Sequence, residues 1–291
     1  MKQVAIIGAG NVGKVLGAAL KAKGYPITAA YCRTDLSRRT AEQVLQCPVY
    51  DDKARTAAAG DIVFLTTPDQ VIQEVCGEIA TAGGFRPGQF VLHTSGAHSS
   101  VVLAAAQEQG AHVISFHPLQ TFPALEVGLQ SLPGTFFTVE GDEEGLAVAE
   151  ELVKALTGKM LSIPTEMKPL YHAAACVACN YLVSLMDVAL KMYEIMDIPG
   201  ESAMEALAPL IGGTLGNVAS LGPQQALTGP IARGDVSTIS SHLKNMEQQC
   251  PELMPLYKEL GQYTVGLAQS KGTLGEIAAK EINKLLGGHE K

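Results

Sequence analysis

The chain has 291 residues, 47% hydrophobic and 17% charged, which excludes a disordered polymer and suggests about two domains. Trp is absent, aromatics make up 5%, and the formal net charge is −8, so neither base stacking nor a basic nucleic-acid face is provided for. Six Cys, at 32, 47, 76, 176, 179 and 250, read as reduced thiols, several of them buried. The most apolar run, Ala173 to Leu190, carries Asn180 and Asp187 and reads as a buried helix, so no membrane is expected as a partner. The apolar run that ends at Gly8 is too short for a signal-peptide core, and a cytoplasmic protein is expected.

In chain order, the first half alternates strand and helix patterns. Strands are predicted at Gln3 to Ile7, Ile27 to Cys32, Val49 and Tyr50, Asp61 to Thr66, Gln89 to His93, His112 to Phe116 and Thr135 to Val139. Helices fall between them at Asn11 to Lys23, Ser37 to Leu45, Gln70 to Ala80, Ser99 to Gln109 and Glu143 to Leu156. Strands with near-continuous apolar runs imply a parallel sheet covered on both faces. Beyond Ile163-Pro164 only helical periods remain: Lys168 to Met196, Glu201 to Leu221, Val236 to Gln249, Glu252 to Ser270 and Thr273 to Leu286. The boundary is therefore set at 164, giving domains 1–164 and 165–291.

Gly8-Ala9-Gly10-Asn11-Val12-Gly13 follows a strand and opens a helix. Gly8 permits the tight turn, Gly10 lets backbone approach a pyrophosphate, and Gly13 lets helix and strand pack closely. The helix N-terminus adds free N–H groups and partial positive charge. This is a dinucleotide loop, and the fold class is α/β: a doubly wound, mostly parallel Rossmann sheet followed by an all-helical C-terminal domain. The second strand ends Tyr31-Cys32-Arg33-Thr34, with no acid at its tip to bond a ribose 2′-OH. Arg33 and Thr34, backed by Arg38, suit a 2′-phosphate, so NADP(H) is expected over NAD.

Ligands of such sheets lie beyond the C-terminal strand ends. There stand Thr66, Thr67 and Pro68, placed to flank the cofactor ribose; His93 to His98, including Ser95; and Ser115 to Leu119, including His117. Ser95 and His117 are taken as substrate-binding, while His93 is left open between a site role and packing. In the helical half, Lys168, His172, Cys176 and Asn180 recur every four residues and share one helix face. Lys168 is suited to donate a proton to a carbonyl oxygen, His172 to relay it, and Asn180 to orient substrate. Arg233, in the break Gly229-Pro230-Ile231-Ala232-Arg233, is a fork for a substrate carboxylate. Cys176 and Cys179 form a C-x-x-C that with His172, and His242 or Cys250, makes a partial metal constellation. Small buried thiols packing helices is the better reading, and no metal is expected.

With GAGNVG, TTPD at 66–69, HTSG at 93–96, SFHPLQTF at 115–122, the Lys168–His172–Asn180 helix and LTGPIARGD at 227–235, the chain resembles bacterial oxidoreductases that join a Rossmann-like domain to a helical domain called DUF2520. The resemblance spans the whole chain. It implies a fold related to 6-phosphogluconate dehydrogenase-like enzymes, ketopantoate reductases and pyrroline-5-carboxylate reductases, and dimerisation through the helical domain. Ketopantoate reductases of the common class follow their Lys with Asn four residues later; here Lys168 is followed by His172. The expected activity is NADPH-dependent reduction of a small carbonyl acid, with ketopantoate first. The alternatives are an imine reductase of the pyrroline-5-carboxylate type and a non-catalytic NADP(H)-binding sensor.

Overall fold

The computed structural model describes residues 1–288. The chain divides into two compact units, Met1–Cys179 and Asn180–Lys291. The first unit holds β1 (Val4–Ile7), α1 (Asn11–Ala22), β2 (Ile27–Tyr31), α2 (Asp35–Leu45), β3 (Val49–Tyr50), α3 (Lys53–Ala58), β4 (Ile62–Leu65), α4 (Ile72–Thr81), β5 (Phe90–His93), α5 (Ala104–Gln107), β6 (His112–Pro118), α6 (Leu125–Ser131), β7 (Phe136–Gly141), α7 (Glu143–Ala155), β8 (Lys159–Ser162) and α8 (Lys168–Ala178). The sheet order is β3-β2-β1-β4-β5-β6-β7-β8, parallel except where β7 meets β6 antiparallel. All four residues of both β1 and β4 are buried, as two-sided cover by helices requires.

The expected alternation holds through β6, with differences at weakly patterned segments. The helix expected over Ser99 to Gln109 is a 3-10 turn, Ser100–Leu103, followed by the single turn of α5. The short α3, α6 and β8 lacked enough periodicity to be read. The sheet ends at Ser162, close to the expected boundary, but the first unit runs on through α8, because Lys168 at the head of that helix is fully buried.

Register decides what each sheet face carries. Leu92 pairs with Ile114, and Phe116 with Val139; these side chains join the apolar core beneath α1 and α7. On the opposite face Val63, Val91 and Val113 are in register and apolar. Two residues further on, that same face turns polar. His93 pairs with Ser115, Ser115 with Glu140, and His117 with Thr138, and side chains at registered and alternate positions share a face.

The second unit contains α9 (Asn180–Ile195), α10 (Gly200–Ala226), α11 (Val236–Gln249), α12 (Met254–Lys271) and α13 (Glu276–Leu285). Its core is built by α11, α12 and α13 around Ile239, Leu243, Val265, Ala268 and Ile282. By contrast, α9 buries none of its residues and α10 only Ala203. The single helix expected over Lys168 to Met196 is two, broken at Cys179 (φ −117°, ψ −67°). The expected burial of this run fails as well: Thr165–Ile195 is long and apolar enough to cross a membrane by length and composition, and none of its most apolar window is buried. Its first part is tied into the sheet unit through Thr165, Lys168 and Tyr171. The 16 residues of α9 then extend about 24 Å, short of the roughly 30 Å of a bilayer core.

Candidate active site

Two features occupy the C-terminal edge of the sheet in the first unit. The first is a cleft of about 460 Å³ bordered by the β1–α1 loop, the ends of β2 and β4, and α3 and α4. The loop is fixed by backbone: Gly8 N–H donates to Tyr31 O at 2.8 Å and Gly10 N–H to Gly8 O at 2.7 Å. Gly8 has φ +89°, and a Cβ there would lie 2.8 Å from Thr67 Cγ2; a Cβ at Gly13 would lie 2.5 Å from Thr66 Oγ1. At Gly10 a Cβ would meet nothing closer than 3.9 Å, so this glycine faces open space. The first turn of α1 carries no acidic residue, and its N-cap Gly10 offers no side-chain acceptor, so its N–H groups are left to a ligand.

Of the expected cofactor residues, Gly8, Gly10, Arg33, Thr34, Thr66, Thr67 and Pro68 line the cleft. Asn11, Val12, Gly13 and Arg38 do not. Asn11 Nδ2 donates to Phe122 O and Pro123 O, both at 3.0 Å, so its side chain secures the segment after β6. Val12 packs on the core and Gly13 is buried beneath the loop. Arg38 is half-buried along α2. Thr34 caps α2 by accepting from Ser37 N–H, and Thr66 Oγ1 donates to Gly8 O at 2.7 Å, so both hydroxyls build the cleft as well as line it. Arg33 makes no ion pair among the described residues. Lys53 lines the cleft too, 5.6 Å over the Tyr31 ring and paired with Glu78. Its available signal was Asp52, which caps α3 by accepting from Arg55 N–H.

The second feature is the polar end of the sheet face, roofed by α8 and by the segment after β5. Lys168 is fully buried, and its Nζ has no hydrogen-bond partner among the described residues. The buried atoms His93 Nε2, Ser115 Oγ, Thr138 Oγ1 and His172 Nδ1 share that condition. Buried polar atoms are seldom left unpaired, and five in one patch suggest a ligand or solvent rather than a packing core. His117 Nδ1 meets Tyr171 Oη at 2.8 Å. A Cβ at Gly96 would lie 2.6 Å from His172 Nδ1 and 2.9 Å from His117 Nε2, so the two rings close directly on the Gly96 backbone and only glycine fits there. Ser95, expected to bind substrate, instead accepts from Ala97 and His98 N–H, each at 3.1 Å, and holds the turn that places Gly96 there.

Burial shapes the titration of this patch. It drives His93 and His117 down to about 3, helped by the nearby Lys168 charge, so both imidazoles are neutral at physiological pH. Burial also lowers Lys168 to about 8, opposed by the carboxylates of Glu140 and Asp69. Asp69 directly follows the cleft-lining Thr66–Pro68, so the wall of the cleft and the lysine are electrostatically linked.

Lys168, His172 and His117 are thus brought together, and His93 joins them. Asn180 does not share their helix: the break at Cys179 makes it the first residue of α9, exposed, in the second unit. Arg233 also lies in the second unit, exposed, on the 3-10 turn Ile231–Arg233. The C-x-x-C reading as buried thiols is corrected: Cys176 is half-buried with Sγ 3.5 Å from His172 Nε2, and Cys179 is exposed. His242 bonds Tyr257 Oη at 2.8 Å within the second unit.

A Gly-rich loop between a buried strand and a helix, in a sheet of order 3-2-1-4-5-6, defines a Rossmann-like domain, and the family model of that description matches residues 1–118. A second family model, described as a domain of unknown function, DUF2520, matches residues 135–264, so the chain carries a Rossmann-like domain followed by a DUF2520 domain. A comparison with curated proteins finds no match. Among solved structures, a protein from Bacteroides fragilis described as an NADP oxidoreductase is 23% identical, covering 97% of this chain and 98% of that one, with a TM-score of 0.71. A reductive aminase from Aspergillus terreus, in complex with NADPH and ethyl levulinate, is 16% identical over 98% of this chain and 99% of its own (TM-score 0.68). A pyrroline-5-carboxylate reductase from Coxiella burnetii is 14% identical over 98% of each chain (TM-score 0.60). These likenesses establish a shared fold.

Proposed function

We propose that the protein is an NADP(H)-dependent oxidoreductase that reduces a small carbonyl acid, with ketopantoate as the first candidate. The observation that carries the reading is Lys168: a fully buried amine without a partner, beside the neutral His93 and His117 and next to a glycine-built dinucleotide cleft. The cleft residues fit the cofactor. Gly8, Gly10 and the N-terminus of α1 suit the pyrophosphate, and the unpaired Arg33 with the N-terminus of α2 suits a 2′-phosphate. The nicotinamide, when bound, supplies the hydride.

The chain's own residues supply the proton and the orientation. His93 and His117 are neutral and each offers a single ring N–H, so of these three buried groups the positive charge belongs to Lys168. With a pKa of about 8, Lys168 is protonated at neutral pH and releases its proton readily. It lies behind half-buried His117, Tyr171 and His172, so substrate oxygen meets that rim first and the proton reaches it through the rim. Asn180 and Arg233 are assigned to substrate positioning. The exposed apolar side chains of α9 and α10, including Tyr181, Val183, Leu210 and Leu215, suit a homodimer in which a second copy covers helices that have almost no core of their own.

An imine reductase is the second reading, supported by the shared fold with the reductive aminase and by the depth of Lys168; an iminium arrives protonated and makes no demand on that amine. NADPH oxidation should be followed with ketopantoate, other 2-oxo acids and a cyclic imine acid, with NADH in parallel. Turnover of a 2-oxo acid that requires Lys168 supports the first reading. Turnover of the imine alone, indifferent to Lys168, selects the second. NADPH binding without turnover of any of them leaves a cofactor-binding sensor.

A further inference from the structure

Glu140 is a carboxylate where the sheet interior offers little water: it is 3% exposed, on β7, in register with Ser115 and on the same face as His93, His117 and Thr138. Three donors converge on it. Ser100 donates its backbone N–H at 2.6 Å and its hydroxyl at 2.8 Å, and Thr165 donates its hydroxyl at 2.9 Å. Ser100 opens the 3-10 turn on the segment that carries His93 and Gly96. Thr165 opens the turn that runs into α8, three residues before Lys168. One carboxylate therefore ties together the strand beneath the patch and both segments that roof it.

We propose that Glu140 is the positioning residue of this site: its carboxylate clamps the entry of α8 to the segment after β5 and holds the buried Lys168 amine in its protonated form. The inference rests on the reading of Lys168 as proton donor, and it names a residue that touches neither substrate nor cofactor. The groups set around Lys168 are Glu140 from β7, Asp69 from the turn after β4, His93 and His117 from β5 and β6, and Tyr171 and His172 from α8 itself. Of these only Glu140 and Asp69 are anions that favour the ammonium. Glu140 alone of the two is fixed by three hydrogen bonds, so the fold sets where its charge lies. Glu140 is also invisible to a motif search, since the strand that carries it runs antiparallel and no other polar side chain of the patch is its immediate neighbour in sequence.

The test reads Lys168 directly. The ¹³Cε shifts of lysine-labelled protein are titrated without substrate, with Lys168→Met identifying the resonance. Glu140→Gln keeps the shape and the hydrogen-bonding reach but removes the charge. It is expected to lower the proton affinity of Lys168 at least tenfold, and Glu140→Asp is expected to restore most of it. An unchanged midpoint in Glu140→Gln, or equal shifts in the Gln and Asp variants, overturns the proposal. If Glu140→Gln does not fold, Ser100→Ala and Thr165→Val remain. Each removes a hydroxyl donor and loosens the clamp without removing the charge, so each should lower the proton affinity of Lys168, by less than Glu140→Gln does; no change in either also overturns the proposal. The pH profile of NADPH oxidation separates the two levels of the argument. If its alkaline limb does not follow the Lys168 midpoint across these variants, the proton-donor reading fails while the clamp stands.

Discussion

The two features at the sheet edge are built on opposite principles. The nucleotide cleft is made by backbone and by the absence of side chains: a Cβ at Gly8 or Gly13 would strike Thr67 or Thr66, and the hydroxyl of Thr66 is spent on the loop itself. The Lys168 patch is made by side chains left unsatisfied, five buried polar atoms with no protein partner. A backbone cradle holds a ligand by shape and costs the fold little. An unpaired buried amine costs stability, and such a cost is retained where chemistry needs it. The first feature therefore speaks for binding and the second for reaction, and substitutions should separate the two effects.

The sharpest separation is expected at Lys168. Lys168→Met removes the charge at similar volume, and turnover should fall about 10²- to 10⁴-fold, the range of a lost acid catalyst. NADPH affinity should stay within about twofold, and the unfolding midpoint should change little, because relief of a buried cation without a hydrogen bond is offset by the loss of counter-charge to Glu140. Steady-state kinetics, fluorescence titration and thermal melts check the three parts; a melt lowered by many degrees would make the lysine structural instead. A smaller effect is expected in the cleft. Arg33 is exposed and free of ion pairs among the described residues, so Arg33→Ala should reduce the preference for NADPH over NADH about tenfold, roughly 1.4 kcal/mol. An unchanged affinity ratio would detach Arg33 from the 2′-phosphate.

How well each feature can be read from sequence follows from how it is built. The glycine loop is contiguous, and its backbone demands fix residue types at fixed spacing, so GAGNVG could be read directly. Arg33 and Thr66–Pro68 followed from the rule that ligands lie beyond parallel strand ends. That same rule exposed His93 and His117 and concealed Glu140 and Thr138. They sit on β7, which runs antiparallel, so the rule for parallel strand ends does not apply to the strand that brings them to the patch. Four-residue spacing correctly placed Lys168 and His172 on one helix but carried Asn180 with them, because nothing in Cys176-Val177-Ala178-Cys179 announces that the helix is interrupted at Cys179. In the second unit, apolar periodicity located the helices. It did not distinguish α11–α13, which share a core, from α9 and α10, whose apolar faces are exposed, since period reports a face and not what covers it.

A further predicted effect is on stability and uses the histidines rather than the lysine. His93 is completely buried, and its folded-state pKa of about 3 lies below the ordinary value near 6.5. Between those two values the unfolded chain binds the proton and the folded chain does not, so stability is complete above about pH 6.5 and is lost as pH falls below it. For one such group the slope is about 1.4 kcal/mol per pH unit, or about 2 kcal/mol by pH 5. His117, half-buried and also depressed to about 3, adds a further contribution of the same sign. Urea unfolding at pH 7.5, 6.5 and 5.5 should show a plateau followed by a fall, and His93→Gln should flatten the fall by about half. A curve that falls equally steeply in that variant would mean His93 is protonated in the folded state. The patch would then carry two cations, and the assignment of its charge to Lys168 alone would fail.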